Sequence, residues 1–326
     1  MNKVLLISVL LFAGALQAQQ TYQKTTKLMG SRFDLTVVAK NEAEGNYFIT
    51  MAIEEISRIE KLISSWDSNS QTSQINRNAG IKEVKVDEEL FDLIDRSIKI
   101  SKLTDGAFDI SFASMEKIWK FDGSMTEKPS EEAIAKSVEK IGYKNIILNK
   151  EKHTVFLKNE GMKIGFGAIG KGYAADKTKA LLIEKGVSAG IINASGDMNT
   201  WGKQPDGTSW MVAITNPLNK EKVFSWLPID NSAIVTSGNY EKFIVFDNIR
   251  YSHIINPRTG YPATGIISAT ILSSSAEVAD ALATAVFVMG IEVGLDFINQ
   301  LKGVECILID EDNKIFTSNH IQFDKK

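Results

Sequence analysis

Beyond about residue 154, short β-rich runs alternate with helical patterns in no regular order, and this irregularity constrains the fold more than any other feature of the chain. Val155–Leu157, Ala189–Asn193, Trp210–Ile214, Ala233–Thr236, Phe243–Phe246 and Ile266–Leu272 read as strands bounded by polar turns. Helical spacing predicts α-helices over about Tyr173 to Lys185, Ala276 to Met289 and Ile291 to Leu301, followed by a strand pair, Cys306–Ile309 and Lys314–Phe316. A doubly wound parallel sheet needs strict alternation of strand and helix. The observed order predicts instead an α/β chain of mixed α+β type, with mixed sheets flanked by helices.

Upstream, Ile49, Ile53, Ile56, Ile59 and Ile63 recur at helical spacing and predict a helix from about Asn46 to Ser64. A second covers about Glu88 to Leu103, and a third runs from Ser130, its N-cap, to Ile141. Asp105 to Asp109 reads as a turn into an aromatic strand that ends in Ile118-Trp119-Lys120-Phe121. No repeat, low-complexity segment or linker divides the chain, so residues 19–326 are expected to form one large domain.

The first 18 residues stand apart. Met1-Asn2-Lys3 is a positive start, Val4 to Phe12 is an apolar run, and Ala15-Leu16-Gln17-Ala18 ends in a small residue. This is the pattern of a cleavable signal peptide, too short for a spanning helix. No cysteine near the cleavage point offers a lipid anchor, so a released, periplasmic protein is expected. A net charge of −3 argues against nucleic acid or an anionic membrane as partner. The single cysteine, Cys306, lies in an apolar run and reads as a buried small hydrophobe, so stability must come from packing. His153, His253 and His320 are too scattered for a zinc cluster.

Residues 165–176, GFGAIGKGYAAD, satisfy G-x-G-x-x-G and most of a Walker loop. The dinucleotide reading wants a strong preceding strand and an acidic residue about 20 positions on. Met162-Lys163-Ile164 is a weak strand, and Asp197 follows a second turn. The Walker reading fails where Gly172 replaces the hydroxyl residue that would hold magnesium. What remains is a helix start with free N–H groups and Lys171 aimed at one place, a serviceable anion site.

Other clusters carry chemistry. Asp280 and Thr284 share one helical face and offer hard oxygen ligands of the kind magnesium accepts. Tyr251 to Pro262 holds His253, Arg258 and two tyrosines between tight turns. Thr236-Ser237-Gly238-Asn239-Tyr240 supplies hydroxyls at a strand end, and Ser64 to Asn76 is a polar loop carrying Trp66.

In this order and spacing, the segments resemble the ApbE family of FAD:protein FMN transferases. The likeness runs from Met29-Gly30-Ser31 through Ser73-Gln74-Ile75-Asn76, Gly106 to Ser111, Ile118 to Phe121, Gly167 to Asp176, Ser195-Gly196-Asp197, Thr236-Ser237-Gly238, His253 to Pro262 and Asp280 to Thr284. The resemblance implies a periplasmic enzyme that binds FAD and Mg²⁺, cleaves the pyrophosphate, releases AMP and joins FMN by a phosphoester bond to a Thr or Ser of an acceptor protein. It implies FAD contacts at Met29, Trp66, Ala107, Phe108, Asp109, Lys171, Ser237 and Ile255, and magnesium ligands at Asp280, Thr284 and the Ala168 carbonyl. His253 is the candidate for accepting the acceptor's proton.

Three departures stand out. Gly165 replaces a common Asp, Trp66 replaces a Tyr, and Ser111 with a Pro-less Ala113-Ser114-Met115 replaces a Thr and Pro. The family's acceptors carry a short Asp/Ser-Gly-Ala-Thr/Ser segment, often in membrane electron-transfer subunits. Asp105-Gly106-Ala107 is followed here by Phe108, so the chain is not expected to be its own target. Three alternatives stay open: an FAD pyrophosphatase giving FMN and AMP, a periplasmic FAD-binding protein, and, on the glycine pattern alone, a nicotinamide oxidoreductase.

Overall fold

A computed structural model describes residues 19–216, 219–239 and 242–321. The expected signal peptide, residues 1–18, and Tyr240 lie outside the described residues. The chain opens with β1 (Gln20–Leu28), β2 (Ser31–Ala39), α1 (Glu42–Ile63), α2 (Gln71–Arg77), β3 (Val84–Lys85) and α3 (Glu88–Leu103). Next come α4 (Glu131–Ser137), β4 (Ile146–Asn149), β5 (Thr154–Leu157) and α5 (Gly170–Glu184). A strand-rich stretch follows with β6 (Gly190–Ala194), β7 (Asp197–Trp201), β8 (Trp210–Asn216), β9 (Asn219–Ile229), β10 (Ala233–Gly238), β11 (Phe243–Phe246), β12 (Ile249–Ser252) and β13 (Ile266–Ser273). The chain closes with α6 (Ala276–Met289), α7 (Ile291–Asn299), β14 (Val304–Asp310) and β15 (Ile315–Thr317).

Eight strands form one sheet in the order β1-β2-β6-β7-β10-β13-β14-β15. Every described pairing is antiparallel, which sets the chain on the α+β side of the mixed expectation. Period-2 alternation divides the sheet's residues between two cores. Val37, Ala233, Val235, Cys306 and Leu308 face α1, α5 and α6. Val38, Ile234 and Ile307 face the β8–β9 hairpin through Trp210, Val212 and Ile229. Burial on both faces explains why these strands read as continuous apolar runs rather than alternating ones. A small sheet, β3-β5-β4, carries α2 and α3, and β11–β12 forms a separate hairpin.

The structure departs from the sequence reading in a few places, each with a local cause. The aromatic strand expected after Asp109 is absent. Asp109 Oδ1 accepts from Ser111 N–H and Oγ–H at 2.8 and 2.6 Å, which winds residues 110–114 into a 3-10 turn. Beyond it, the Trp119 indole N–H donates to the Gly260 carbonyl at 2.9 Å instead of entering a ladder. The helix capped by Ser130 stops at Ser137, not Ile141, because the Ser137 carbonyl accepts from Glu116 N–H (3.2 Å). Helix α1 starts a turn earlier than expected: Asn41 caps Glu44 N–H at 2.9 Å while the Glu44 carboxylate reaches back to Lys40 N–H at 2.7 Å. Ser195-Gly196 is a hairpin turn with both φ angles positive, and β7 beyond it is one of several strands that the sequence does not announce, along with β1, β2, β3, β4, β9 and β12.

Candidate functional site

The glycine-rich segment reaches α5 without a strand before it. Asn76 substitutes for a strand partner: its Nδ2 donates to the Ile164 carbonyl (3.0 Å) and its Oδ1 accepts from Ile164 N–H (2.8 Å). Ser114 Oγ does the same for Lys163, and Gly165 N–H donates to the Ile110 carbonyl. Side chains from α2 and the 110–114 turn thus hold the lead-in whose β character was weak. The chain then turns at Phe166, whose carbonyl accepts from Gly170 N–H at 2.7 Å, and α5 begins.

Helix α6 crosses α5 at that point. Gly172 N–H donates to Asp280 Oδ2 at 3.0 Å. A Cβ on Gly172 would lie 2.1 Å from the Ala276 carbonyl oxygen and 2.8 Å from Asp280 Cβ. Only glycine fits there, which is the physical reason no Walker hydroxyl follows Lys171. Asp280 is buried, and desolvation raises its carboxyl above the usual carboxylate range against the pull of the Lys171 charge and the Gly172 and Lys171 N–H groups. One turn along, Thr284 Oγ1 lies 3.4 Å from Ser237 Oγ at the end of β10. Lys171 pairs with the buried carboxylate of Asp197, at the start of β7, whose other oxygen accepts from Thr236 N–H at 3.3 Å. The sequence alone assigns Asp197 no part, because its partner lies 26 positions away in another element.

A cavity of about 390 Å³ is lined by Trp66, Asn76, Met115, Trp119, His253 and Ile255 among others, and by Lys163 from the lead-in to α5. Trp66 is 87% exposed, with the Lys117 ammonium 5.2 Å from its ring centre, so its large π face is open to a ligand. His253 sets its ring edge-on to Phe121, and its Nδ1 lies 3.1 Å from the Lys242 carbonyl. A carbonyl neighbour places the proton on Nδ1. A larger hollow of about 730 Å³ lies over the small sheet near Ile81, Ile147 and Phe156 and contains none of the candidate residues.

The candidates therefore fall into two groups. Lys171, Ser237, Asp280 and Thr284 gather where α5, α6 and β10 meet, and Ala168 lies two residues before α5 begins. Trp66, His253 and Ile255 line the cavity. Met29 joins the first group from the β1–β2 turn: its backbone is left-handed (φ 49°), its N–H donates to Glu60, and its Cε lies 3.7 Å from where a Gly170 Cβ would be. Ala107 and Phe108 bury their side chains in the core, and Asp109 is committed to Ser111 and the Tyr143 N–H (2.8 Å). At those three positions the backbone is what a ligand would meet. At Gly165 a Cβ would sit 3.1 Å from Ala113 Cβ, a tight fit for any side chain unless Ala113 shifts by a few tenths of an ångström.

Fold and site together define an α+β protein with an aromatic-lined cavity and a buried carboxylate at a close helix crossing. The chain matches the ApbE family over residues 29–308 and belongs to it. It is similar to FAD:protein FMN transferases of Klebsiella pneumoniae (28% identical, covering 92% of each chain) and Treponema pallidum (29% identical, 91% of this chain and 86% of the relative). Among solved structures it resembles the ApbE protein of Thermotoga maritima, with TM-score 0.83, 30% identity, and 92% of this chain and 97% of that one covered. The flavinyl transferase ApbE of Pseudomonas stutzeri, at 23% identity, shares the fold with TM-score 0.81 over 93% of this chain and 96% of that one.

Proposed function

We propose that the chain is a periplasmic FAD:protein FMN transferase, which cleaves the FAD pyrophosphate with Mg²⁺, attaches FMN by a phosphoester bond to a Thr or Ser of an acceptor protein and releases AMP. The observation that carries this reading is the α5–α6 crossing, where the buried carboxylate of Asp280 meets the first turn of α5 beside Lys171. The named relatives, matched along nearly their whole length, support it.

The donors present fit magnesium. Asp280, Thr284 and the Ala168 carbonyl would hold the ion, all of them hard oxygens. Asp197 and Asp280 are both buried and share Lys171 as their cationic neighbour, and burial disfavours the charged form of Asp280, which a bound cation would favour. Among the described residues no group of three or more His, Cys, Asp or Glu side chains could cage a metal alone, so remaining ligands would come from phosphate and water. When bound, the ion neutralises the diphosphate and eases departure of AMP.

The chain's own groups do the rest. The first N–H groups of α5 are taken, Gly170 by the Phe166 carbonyl and Lys171 and Gly172 by Asp280, so the expected anion site reduces to the Lys171 ammonium, which binds phosphate oxygens. Trp66 stacks on a flavin ring. His253, which lines the cavity, takes the proton from the attacking hydroxyl.

The test is intact-mass analysis after the mature protein is incubated with FAD and Mg²⁺, with and without a peptide bearing an acceptor Thr or Ser. The reading expects the peptide to gain FMN less water, with one AMP per adduct. FMN and AMP beside an unmodified peptide would make the chain a pyrophosphatase, and intact FAD would make it a binding protein.

A further inference from the structure

We propose that Asp176 is a positioning residue that sets the register of α6 on α5 and so places Asp280 and Thr284 for a divalent cation; the inference rests on the magnesium-assisted reading above. Asp176 lies on α5, five residues past Lys171, yet the hydrogen bonds its carboxylate accepts come from other elements. Oδ1 accepts from Ala276 N–H (2.9 Å) and Asn199 Nδ2 (2.6 Å). Oδ2 accepts from Glu277 N–H (2.9 Å) and Ser275 Oγ–H (2.7 Å). Ser275 Oγ in turn accepts from Val278 N–H at 3.2 Å.

The first turn of any helix leaves N–H groups without intrahelical partners, and its positive end favours a negative charge. In α6 those donors are met by a carboxylate from a different helix and by the hydroxyl that carboxylate orients. The consequence is geometric. Close contact at Gly172 limits how near α6 approaches α5, but leaves α6 able to slide and rotate. The Asp176 bonds fix slide and rotation at the end of α6 one turn before Asp280. Asn199 extends the brace: Lys179 Nζ donates to its Oδ1 (3.0 Å) and to the Thr200 carbonyl (2.8 Å). Asn199 lies two residues beyond Asp197 on the same face of β7. One network therefore registers both carboxylates that flank Lys171. Ligands of a small, geometrically demanding ion lose function when displaced by about 1 Å.

Asp176→Asn keeps the volume but replaces one acceptor oxygen with an NH₂ donor facing existing donors. The measurement is calorimetric titration of Mg²⁺ into the mature protein loaded with FAD, with no acceptor present. FAD affinity is measured separately in chelator by flavin fluorescence, and folding is checked by circular dichroism. Asp176→Asn is expected to raise the Mg²⁺ dissociation constant at least about tenfold while FAD affinity in chelator stays within about twofold. Ser275→Ala, a smaller lesion in the same cap, is expected to raise it about threefold. A folded Asp176→Asn protein with an unmoved Mg²⁺ constant overturns the inference. If that variant does not fold, an unmoved constant in Ser275→Ala overturns it. Wild-type protein that takes up no Mg²⁺ overturns both this inference and the reading it rests on, whereas normal wild-type uptake with unmoved variants overturns this one alone.

Discussion

Gly172 and Asp280 meet across the α5–α6 crossing. The glycine N–H donates to Oδ2 at 3.0 Å, and the two backbones approach so closely that a Cβ on Gly172 would overlap the Ala276 carbonyl. A single glycine thus satisfies a buried carboxylate and brings the two helices into contact.

Gly172→Ala must push the helices apart. Overpacking of this kind costs about 1–3 kcal/mol, so thermal denaturation should show a midpoint several degrees lower, and FAD turnover should fall at least about a hundredfold. Gly167→Ala is the stability control, because nothing lies within 4 Å of its Cβ position and its φ is not positive. Equal stability of Gly172→Ala and wild type would contradict the close crossing.

Trp66 is so exposed that it contributes little to the fold. Trp66→Ala is expected to leave the denaturation midpoint within about a degree. Losing a stacking face worth about 1 kcal/mol raises the KM for FAD about five- to tenfold, and Trp66→Phe recovers most of that loss. Steady-state kinetics with FAD varied decides it. An unchanged KM in Trp66→Ala would remove the ring from the flavin site.

His253→Ala tests the proton acceptor. General-base catalysis contributes about 10² to 10⁴ in rate, so kcat for transfer should drop at least about a hundredfold with little change in KM for FAD. Transfer retained within about threefold, in an assay where Asp280→Ala is inactive, would place the base elsewhere.

Cys306 is buried in β14, and desolvation pushes its thiol up to about 12. The sign follows directly: raising a thiol pKa shrinks the thiolate fraction, which is the reactive form. At pH 8 the native protein should resist a disulfide reagent for hours and react with one equivalent at once in strong denaturant. Rapid labelling of the native protein would show that β14 opens readily.

How much was legible in the sequence depended on whether each residue's partners lay nearby. Strands buried on both faces, such as β10, β13 and β14, announced themselves as apolar runs. The N-terminal strand β1, QTYQKTTKL, is an exposed edge with few apolar residues and carried no such signal. Helix caps made by neighbours, Ser130 on Ala133 N–H for example, were readable. The cap that Asp176 makes on α6, about 100 positions away, was not, although the residue sits inside the glycine motif that drew attention first.

The same rule holds at the site. Asp280 and Thr284 were visible as a pair because one helical turn separates them. Asp197, Asn76 and Ser114 act on distant segments and read as ordinary turn or helix residues. That Gly165 packs closely on Ala113, 3.1 Å from where its Cβ would be, is likewise seen only in space.

The central claim is that a cation held by Asp280, Thr284 and the Ala168 carbonyl meets the FAD diphosphate at the start of α5. A crystal of the protein soaked with FAD and Mg²⁺ tests it most directly. The account predicts a metal peak at magnesium–oxygen distances of about 2.1 Å from those three donors and from diphosphate oxygens. A bound diphosphate with the Asp280 carboxylate turned away from it would contradict the account.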